Sequence, residues 1–513
     1  MFGSPIGVLD LRTEKDIEIV RQAALLLERE NARLVTEITR LTKEFLAATG
    51  QNAEQLGLRI AALEEELARK NKQIFGNSSE KREGKDAAAK EDKPKPPGHG
   101  PRPQPQLPII DVPHDLDEAD KKCTACGKPL KEFAGETEDS DEITVVERRF
   151  VIHRHKRKKY VCNCGACVDT APLPPKLSDG ARYSIDFAIE VSVDKYLDHM
   201  PLEREARKMK REGLEIDSQT LWDQIERLAR HLGPTYEALL TFIMTFAVVG
   251  ADETHWRVMG KAGRVEGEAK QWQIWLVQVE QAVYYTIENS RSSKVAISLL
   301  TNFTGIVMCD GYVAYKTLAR KVPSIRLAHC WAHARREFIQ IESAFPTQAD
   351  EIVGLIRELY RIESECPKGR AGDAERRVLR DTESRKVIAR IQTWMLQAWG
   401  TSLPGSSLRD ALQYMGNHWT GLTRFLDNPC IPLDNNGSER AARGPVIGRK
   451  VHYGSRSLRG TEVAAIFYSL IESAKKCDVD PKAYLRAATL AAIRGDPPLL
   501  PHVYAQRLRD AAE

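Results

Sequence analysis

The stretch FAVVGADETHW, Phe246–Trp256, joins an apolar run to acidic residues. A short continuous apolar run is typical of a strand buried inside a sheet. Asp252 interrupts the run, so we expect its carboxylate at the end of that strand. Since a single strand-end aspartate is usually a cap or turn residue, its role depends on what the neighbouring segments place beside it.

The next segments predict further strands of the same sheet. QWQIWLVQV (271–279) and AVYYTIEN (282–289) are both apolar and rich in β-branched or aromatic residues. A helical stretch is expected from Ser293. A sheet with helical connections therefore begins at Phe246.

A second acid follows a second buried run. In GIVMCDGYVAY (305–315) an apolar stretch delivers Asp310 at its end, before Gly311. IRLAHCWAHARREF (325–338) then predicts one more strand that leads into a basic helix. We expect Asp252 and Asp310 at the ends of two strands of one sheet.

Two such carboxylates repel each other, which raises their pKa values unless a cation lies between them. Carboxylate oxygens that leave positions open for substrate phosphate suit magnesium. A pair of ions about 4 Å apart would hold the attacking and leaving oxygens of a phosphoryl transfer. A third carboxylate is then expected to hold the second ion.

The third acid is predicted in PLDNNGSERAARGPVIGRK, residues 432–450. Glu439 lies there in a helical segment that Asp434 or Asn435 would cap. A lone helix glutamate is ordinarily solvated, but after two strand-end aspartates it predicts a metal site. The nearby cations expected to contact phosphates are Arg440, Arg443, Arg449 and Lys450.

His329 and His333 are spaced by about one helical turn and could suggest another metal site. We expect packing or DNA contact instead, because no third hard ligand is near in sequence and neighbouring arginines would repel a cation. Those arginines, themselves candidate DNA contacts, are Arg335 and Arg336.

Residues 13–78 predict a coiled coil that joins two copies of the chain. Apolar residues alternate at heptad a and d positions, and Asn31 occupies one a position, which favours a parallel homodimer. An amphipathic helix packed on its own chain is the alternative. Residues 79–108 are rich in Pro, Lys and Gly and predict a flexible linker. The d positions include Leu27, Leu34 and Leu41.

Residues 109–172 predict a zinc-binding module. Cysteines on two separate turns can give four thiolates to one tetrahedral Zn²⁺, and such a closed site is structural because no coordination position stays open. Four of the following five would bind: Cys123, Cys126, Cys162, Cys164 and Cys167. The other cysteines are expected to be plain thiols: Cys309, Cys330, Cys366, Cys430 and Cys477.

Two segments outside the predicted sheet are candidate DNA contacts. HRHKRKK (153–159) would be a phosphate-contacting strand, with a solvated surface as the alternative. Residues 173–232 read as two helices joined at Gly213, with Ser218 as the N-cap of the second. This helix-turn-helix pattern is common by chance, so two packed helices without a DNA contact are the alternative. The cations of the first segment include Lys156, Arg157 and Lys158.

Length and composition agree with a multidomain protein. The 513 residues exceed one ordinary core, and the net charge of +4, from 76 basic and 72 acidic residues, requires any DNA-binding surface to be local. The sequence lacks a run of about 20 apolar residues and a signal-peptide pattern, so we expect a cytoplasmic protein without a membrane partner.

Taken in order, the motifs resemble the insertion-sequence-66 family of bacterial DDE transposases. They are the heptad region, IFGNSSEKR, the cysteine-bearing module, DKYLDHMPLERE, DETHW, CDGYVAY, HCWAHARREF and DNNGSERAARGPVIGRK. The resemblance covers nearly the whole chain. The second cysteine cluster departs from the simpler two-cysteine form expected for the family.

The resemblance implies an α+β multidomain protein with an RNase H-like α/β catalytic domain. The catalytic core would comprise 233–340 and 429–476, with a helical insertion at 341–428 and a helical tail at 477–513. The expected partners are transposon terminal inverted repeats, target DNA and small accessory proteins of the same element. Two Mg²⁺ or Mn²⁺ ions would be held by the DDE acids, which correspond to Asp252, Asp310 and Glu439.

Three functions are compatible with these features. An active transposase would cut a DNA strand with activated water and then use the freed 3′ hydroxyl to attack target DNA. A catalytically inactive, transposase-derived DNA-binding regulator would not need the three acids. A structure-selective nuclease would leave the coiled coil and the two DNA-binding modules unexplained. The intact acids favour the transposase.

The cysteine pattern makes a prediction about composition. Protein purified without chelator should contain about one zinc ion per chain, and chelation should loosen residues 109–172 without removing the predicted magnesium site. Elemental analysis measures the zinc content. Protein without zinc would contradict the zinc-binding module.

Overall fold

The computed structural model describes residues 29, 32–41, 44, 63, 128–129, 150–161, 168–259, 272–367 and 369–511. Its contacts divide the chain into two units, Lys81–Arg149 and the remainder. The five candidate zinc ligands, the linker and most of the predicted coiled coil lie outside the described residues. Residues 32–41 are helical and bury Leu34 and Leu41, and the coiled coil stays a prediction.

A short antiparallel pair of strands and three helices precede the main sheet. The side chain of Asp217, not Ser218, caps the third helix, because its carboxylate accepts the N–H of Thr220 at 2.6 Å. Gly213 has φ of +89° in the turn before it, a conformation that favours glycine. The elements are β1 Lys159–Val161, β2 Val168–Thr170, α1 Ile185–Tyr196, α2 Leu202–Arg211 and α3 Ser218–Ile243.

The five predicted strands form one mixed sheet. The elements are β3 Val248–Trp256, β4 Trp272–Gln278, β5 Val283–Glu288, α4 Ser293–Leu300, β6 Gly305–Cys309, α5 Val313–Lys321, β7 Ile325–His329 and α6 Trp331–Gln340. The strands lie in the order β5-β4-β3-β6-β7. Neighbouring strands β3, β4 and β5 pair antiparallel, whereas β6 pairs parallel with both β3 and β7. The helix expected from Ser293 and the basic helix after the last strand are confirmed.

Helices also fill the stretch between α6 and the segment that carries Glu439. They are α7 Pro346–Ser364, α8 Asp373–Leu379, α9 Arg385–Thr401 and α10 Ser407–Thr423, with 3-10 or π turns at Arg370–Gly372, Arg380–Ser384 and Arg424–Asp427. The chain then forms α11 Asn436–His452, α12 Leu458–Lys476, α13 Pro481–Arg494 and α14 Pro501–Asp510. Within the described ranges, no helix is both long and apolar enough to cross a bilayer.

The sheet separates two hydrophobic cores. Alternate residues of β6 point to opposite faces, so Val307 joins a core with β3–β5 and α12, while Ile306 and Met308 join a second core with α6, α7, α9 and α10. Helix α12 also covers the edge strand β5. The hydroxyl groups of its Ser469 and Ser473 accept the backbone N–H groups of Tyr285 and Val283, both at 2.9 Å. These backbone donors of the edge strand would otherwise lack a partner.

Arg380 holds the helical stretch to the chain that returns toward Glu439. Its side chain is 1% exposed and donates to both carboxylate oxygens of Glu363, at 2.6 and 2.9 Å. The same guanidinium donates to the backbone carbonyls of Phe425, Asn428 and Ile431, at 2.7 to 2.9 Å. One buried arginine thus fixes the segment that leads into α11.

We expect Arg380→Met to lower the free energy of unfolding by about 3 kcal/mol, because it leaves three carbonyls without their donor and a mostly buried carboxylate with only Arg376, at 3.4 Å, as a partner. Urea unfolding followed by tryptophan fluorescence measures the loss. Arg385→Met is the control, since Arg385 pairs with Asp381 on an exposed surface and should change stability little. Equal losses in the two variants would contradict the role of Arg380.

Candidate active site

Asp252 lies within β3 and not at its end, contrary to the expectation from sequence. The parallel pairing of β3 with β6 stops at Gly250, while its antiparallel pairing with β4 continues to Trp256. Asp252 therefore stands just beyond the last residue of β3 that β6 covers. The strand extends past the acid because β4 supplies hydrogen bonds there, which the local sequence pattern does not reveal.

Asp310 follows β6 directly, as predicted. Its Oδ1 accepts the N–H of Tyr312 at 2.9 Å, which fixes the carboxylate at the start of α5. Helix α10 lies against the next residue: a Cβ on Gly311 would come within 2.6 Å of His418 Nε2 and 3.0 Å of the Tyr414 hydroxyl. The helical stretch after α6 thus contributes side chains beside Asp310.

Glu439 lies in the first turn of α11, whose start is fastened to β3. Asn435 stands at the N-cap position, but its side chain bonds elsewhere: Nδ2 donates to the carbonyl of Ala251 at 2.8 Å, and Oδ1 accepts from Ser438 Oγ at 2.6 Å. Asp434 instead accepts the N–H of Asn436 at 3.0 Å. The side chain of Asp434 thus bonds the first helical N–H, whereas Asn435 occupies the N-cap position without a side-chain cap bond and ties the helix start to the strand beside Asp252.

Close packing between β3 and α11 requires a small residue. A Cβ on Gly250 would lie 2.5 Å from Ser438 Oγ and 2.8 Å from Gln278 Nε2. Any larger residue would push the first turn of α11 away from the strand. The distance between the segments that carry Asp252 and Glu439 therefore depends on Gly250.

The acids share one electrostatic environment. Burial, and after it the carboxylates of Glu253, Asp310 and Glu439, raise the pKa of Asp252 to about 7. The structure thus brings the carboxylates of Asp310 and Glu439 close enough to Asp252 to disfavour its ionised form. An N–H bond from Glu253 to Asp252 Oδ1, at 2.8 Å, only partly opposes this.

Sequence reasoning missed several groups beside the acids. His333 Nε2 lies 3.7 Å from Glu439 Oε1. The sequence had predicted packing or DNA contact for His333, not a contact with this acid. His329, in contrast, is buried, with its ring 4.6 Å from that of His418, as expected for packing. Glu253 is buried on Arg291 and Tyr315. Only its position next to Asp252 in DETHW could have drawn attention to it.

The candidate DNA contacts fall into distinct environments. Arg449 donates to the backbone carbonyl of His255 and so helps to hold α11 on β3. The half-buried cations Arg335 and Arg336 lie on α6. Three cations of α11 are exposed: Arg440, Arg443 and Lys450. By helical spacing, Arg443 and Lys450 lie on the face that carries Glu439, whereas Arg440 points to the side of it.

The cationic run near residue 156 is not a strand, contrary to expectation. Strand β1 begins only at Lys159, and the residues just before it are exposed and have no regular secondary structure. Arg157 Nε donates to the backbone carbonyl of Ala171. The other two candidate contacts of the run, Lys156 and Lys158, are also exposed.

Comparison with known proteins gives the family. The family model described as "Transposase IS66 family" matches residues 180–463, more than half of the chain. The chain belongs to the IS66 transposase family. The match includes the β3, β6 and α11 segments that carry the three acids.

Three similar proteins come from Sinorhizobium fredii (strain NBRC 101917 / NGR234). The uncharacterized protein y4jD is 33% identical over 392 residues, which is 74% of this chain and 76% of that protein. The uncharacterized protein y4hP is 26% identical over 73% of this chain and 71% of its own. The uncharacterized protein y4qI is 27% identical over 72% of this chain and 71% of its own.

The donor set of this IS66 family member suits a divalent cation, although it is not a closed cage. Among the residues that the structure describes, no group of three or more His, Cys, Asp or Glu side chains is already arranged to hold a metal ion. Mg²⁺ commonly binds through one or two carboxylates and completes its shell with water and substrate phosphate. The repulsion that raises the pKa of Asp252 is what such a cation would relieve.

The raised pKa of Asp252 makes stability depend on pH in metal-free protein. Between pH about 4 and 7 the folded state keeps the proton on Asp252 while the unfolded state has lost it, so stability falls as pH rises through this window. We expect Asp252→Asn to match the wild type at pH 4 and to unfold at a higher temperature at pH 7.5.

Thermal unfolding in a chelating buffer measures this difference at several pH values. Added Mg²⁺ should reduce the difference in unfolding temperature between the variant and the wild type at pH 7.5, because a bound cation stabilises the ionised carboxylate. A difference in unfolding temperature that stays constant from pH 4 to 7.5 would contradict the shifted pKa.

Proposed function

We propose that this chain is an active DNA transposase, in which Asp252, Asp310 and Glu439 are the DDE acids of an RNase H-like catalytic core. The observation that carries this proposal is the convergence of β3, β6 and α11: β6 pairs with β3, Asn435 fastens the start of α11 to β3 beside Asp252, and the carboxylates of Asp310 and Glu439 both raise the pKa of Asp252. Membership in the IS66 transposase family supports the same reaction class. The mixed five-stranded sheet supports the RNase H-like assignment.

The three acids would hold two Mg²⁺ or Mn²⁺ ions. When bound, such ions supply an activated water and neutralise charge on the phosphate that is attacked. The chain's own residues keep the acids in place: Asn435 ties the start of α11 to β3, and the Tyr312 N–H holds Asp310. This arrangement and the family membership support the roles proposed for the acids.

Basic residues on two helices are proposed to bind the DNA backbone. The exposed cations of α11 would meet phosphates close to Glu439, since two of them lie on its face of the helix and one is its neighbour in sequence. Helix α6 reaches the first turn of α11 through the contact of His333 with Glu439, and its half-buried cations are proposed to bind DNA there. The cations are Arg440, Arg443, Lys450, Arg335 and Arg336.

The remaining modules are proposed to bind and pair the transposon ends. Two ends must be cut together, and each chain has one set of acids, so two chains are needed. The predicted coiled coil would join them, and the zinc module and α2–α3 would each contact one end. Two linked contacts bind more tightly than one because the second is effectively intramolecular.

Asp252→Asn, Asp310→Asn and Glu439→Gln should each lower strand cleavage of transposon-end DNA at least about 10³-fold, because each removes a charge needed to hold the metal ions. End binding in gel shifts should stay nearly normal. Asp381→Asn and Glu462→Gln are matched controls on exposed helix surfaces. Near-normal cleavage by Glu439→Gln would show that Glu439 is not the third acid.

Cleavage and binding assays on the wild-type protein distinguish the competing functions. Magnesium-dependent cleavage at the element's own ends supports the transposase. Binding without cleavage under any divalent metal would instead support the DNA-binding regulator. Cleavage of branched DNA irrespective of end sequence would support the nuclease.

A further inference from the structure

Beside the three proposed acids lies a fourth carboxylate that the proposed function does not use. Glu253 follows Asp252 in β3, so its side chain points to the opposite face of the sheet. The side chain is 1% exposed and accepts from Arg291 Nη2 at 2.8 Å and Nε at 3.1 Å. Its other oxygen accepts from the Tyr315 hydroxyl at 3.0 Å.

Arg291 connects this carboxylate to Tyr312. The residue lies in the loop between β5 and α4, and its guanidinium carbon is 4.3 Å from the centroid of the Tyr312 ring. Its backbone carbonyl accepts the Tyr312 hydroxyl at 2.7 Å. Arg291 therefore holds Tyr312 at both the face of the ring and the hydroxyl group.

Tyr312 in turn holds Asp310. Its backbone N–H donates to Asp310 Oδ1 at 2.9 Å. Tyr315, one turn further along, is bonded directly to Glu253. Glu253 thus restrains the short segment after β6 at two points, one through Arg291 and one through Tyr315.

We propose that Glu253 is a positioning residue that fixes the Asp310 carboxylate through Arg291, Tyr312 and Tyr315. Burying the Glu253 carboxylate costs desolvation that its pairing with the half-exposed Arg291 only partly offsets, so stability alone is a weak reason for this pair. A fixed carboxylate binds a cation more tightly because less freedom is lost on binding. The inference rests on the proposed metal-dependent function, in which Asp310 is a ligand.

The test measures Mn²⁺ binding to the full-length chain without DNA, by electron paramagnetic resonance of the free ion. Sites that depend on Asp310 are defined by comparison with Asp310→Asn. Glu253→Gln should weaken Mn²⁺ binding at these sites about 10- to 100-fold, the range typical when a partner of a metal ligand is lost. Arg291→Lys and Tyr312→Phe should weaken it by smaller factors, because each keeps part of the connection.

Cleavage and stability supply independent readouts. The Mn²⁺ concentration for half-maximal cleavage should rise by the same factor as the dissociation constant, and saturating Mn²⁺ should restore most of the cleavage rate. Glu226→Gln is the matched control: it too removes the charge of a mostly buried carboxylate that pairs with arginine, but on α3, which packs on β5 and α12 and not on the segments that carry the acids. It should lower the unfolding temperature without changing Mn²⁺ affinity.

The outcomes separate this inference from the proposed function. If Glu253→Gln binds Mn²⁺ like the wild type, or only lowers the unfolding temperature, the positioning role is overturned. A change in DNA affinity without a change in Mn²⁺ affinity would overturn it as well. A wild type that binds Mn²⁺ but cuts no DNA would overturn the transposase and leave Glu253 to be judged by the binding constants. A wild type that binds no Mn²⁺ would overturn both.

Discussion

The contact between Asn435 and Ala251 is the interaction on which the candidate site depends. Asn435 is buried, and its side-chain amide joins the start of α11 to the backbone of β3 beside Asp252. Its backbone N–H donates to Cys330 Sγ at 3.2 Å, which ties the same point to the end of β7. Gly250 leaves the space that this approach requires. One residue at a helix N-cap position therefore sets the relation between two acids that are far apart in sequence.

The approach of these segments has an electrostatic consequence. It brings together carboxylates that repel one another, and burial raises the pKa of Asp252 to about 7. Glu253 has a cation of its own in Arg291, whereas the bonds shown at Asp252 and Asp310 come from backbone N–H groups. Neutral donors only partly offset such repulsion, so the site is poised to accept a positive charge. This property fits the reaction class of the IS66 transposase family, to which the chain belongs.

Much of the fold could be predicted because its signals are local. Five apolar runs gave five strands, and the helices after Ser293 and His329 occur where the periodicity changes. One error occurred where a distant strand decided the outcome, and another where two adjacent residues could both cap a helix. Asp252 lies inside its strand because β4 pairs with that part of β3, and Asp217 caps α3 although Ser218 is also a good capping residue. The buried role of Arg380 has no signal in sequence, since its partners lie up to 51 residues away.

The sequence by itself determined which chemical groups are available: three acids after or within buried segments, cations that follow the third, and motifs specific enough to indicate a family. These features are local in the chain, so their residue types and spacing can be recognised without coordinates. Only the tertiary structure decided which neighbours those groups have. His333 beside Glu439, His418 against Gly311, and Glu253 connected through Arg291 to Tyr312 all join separate elements. Such contacts depend on how the sheet orders its strands and how helices pack across them, and no local pattern encodes that.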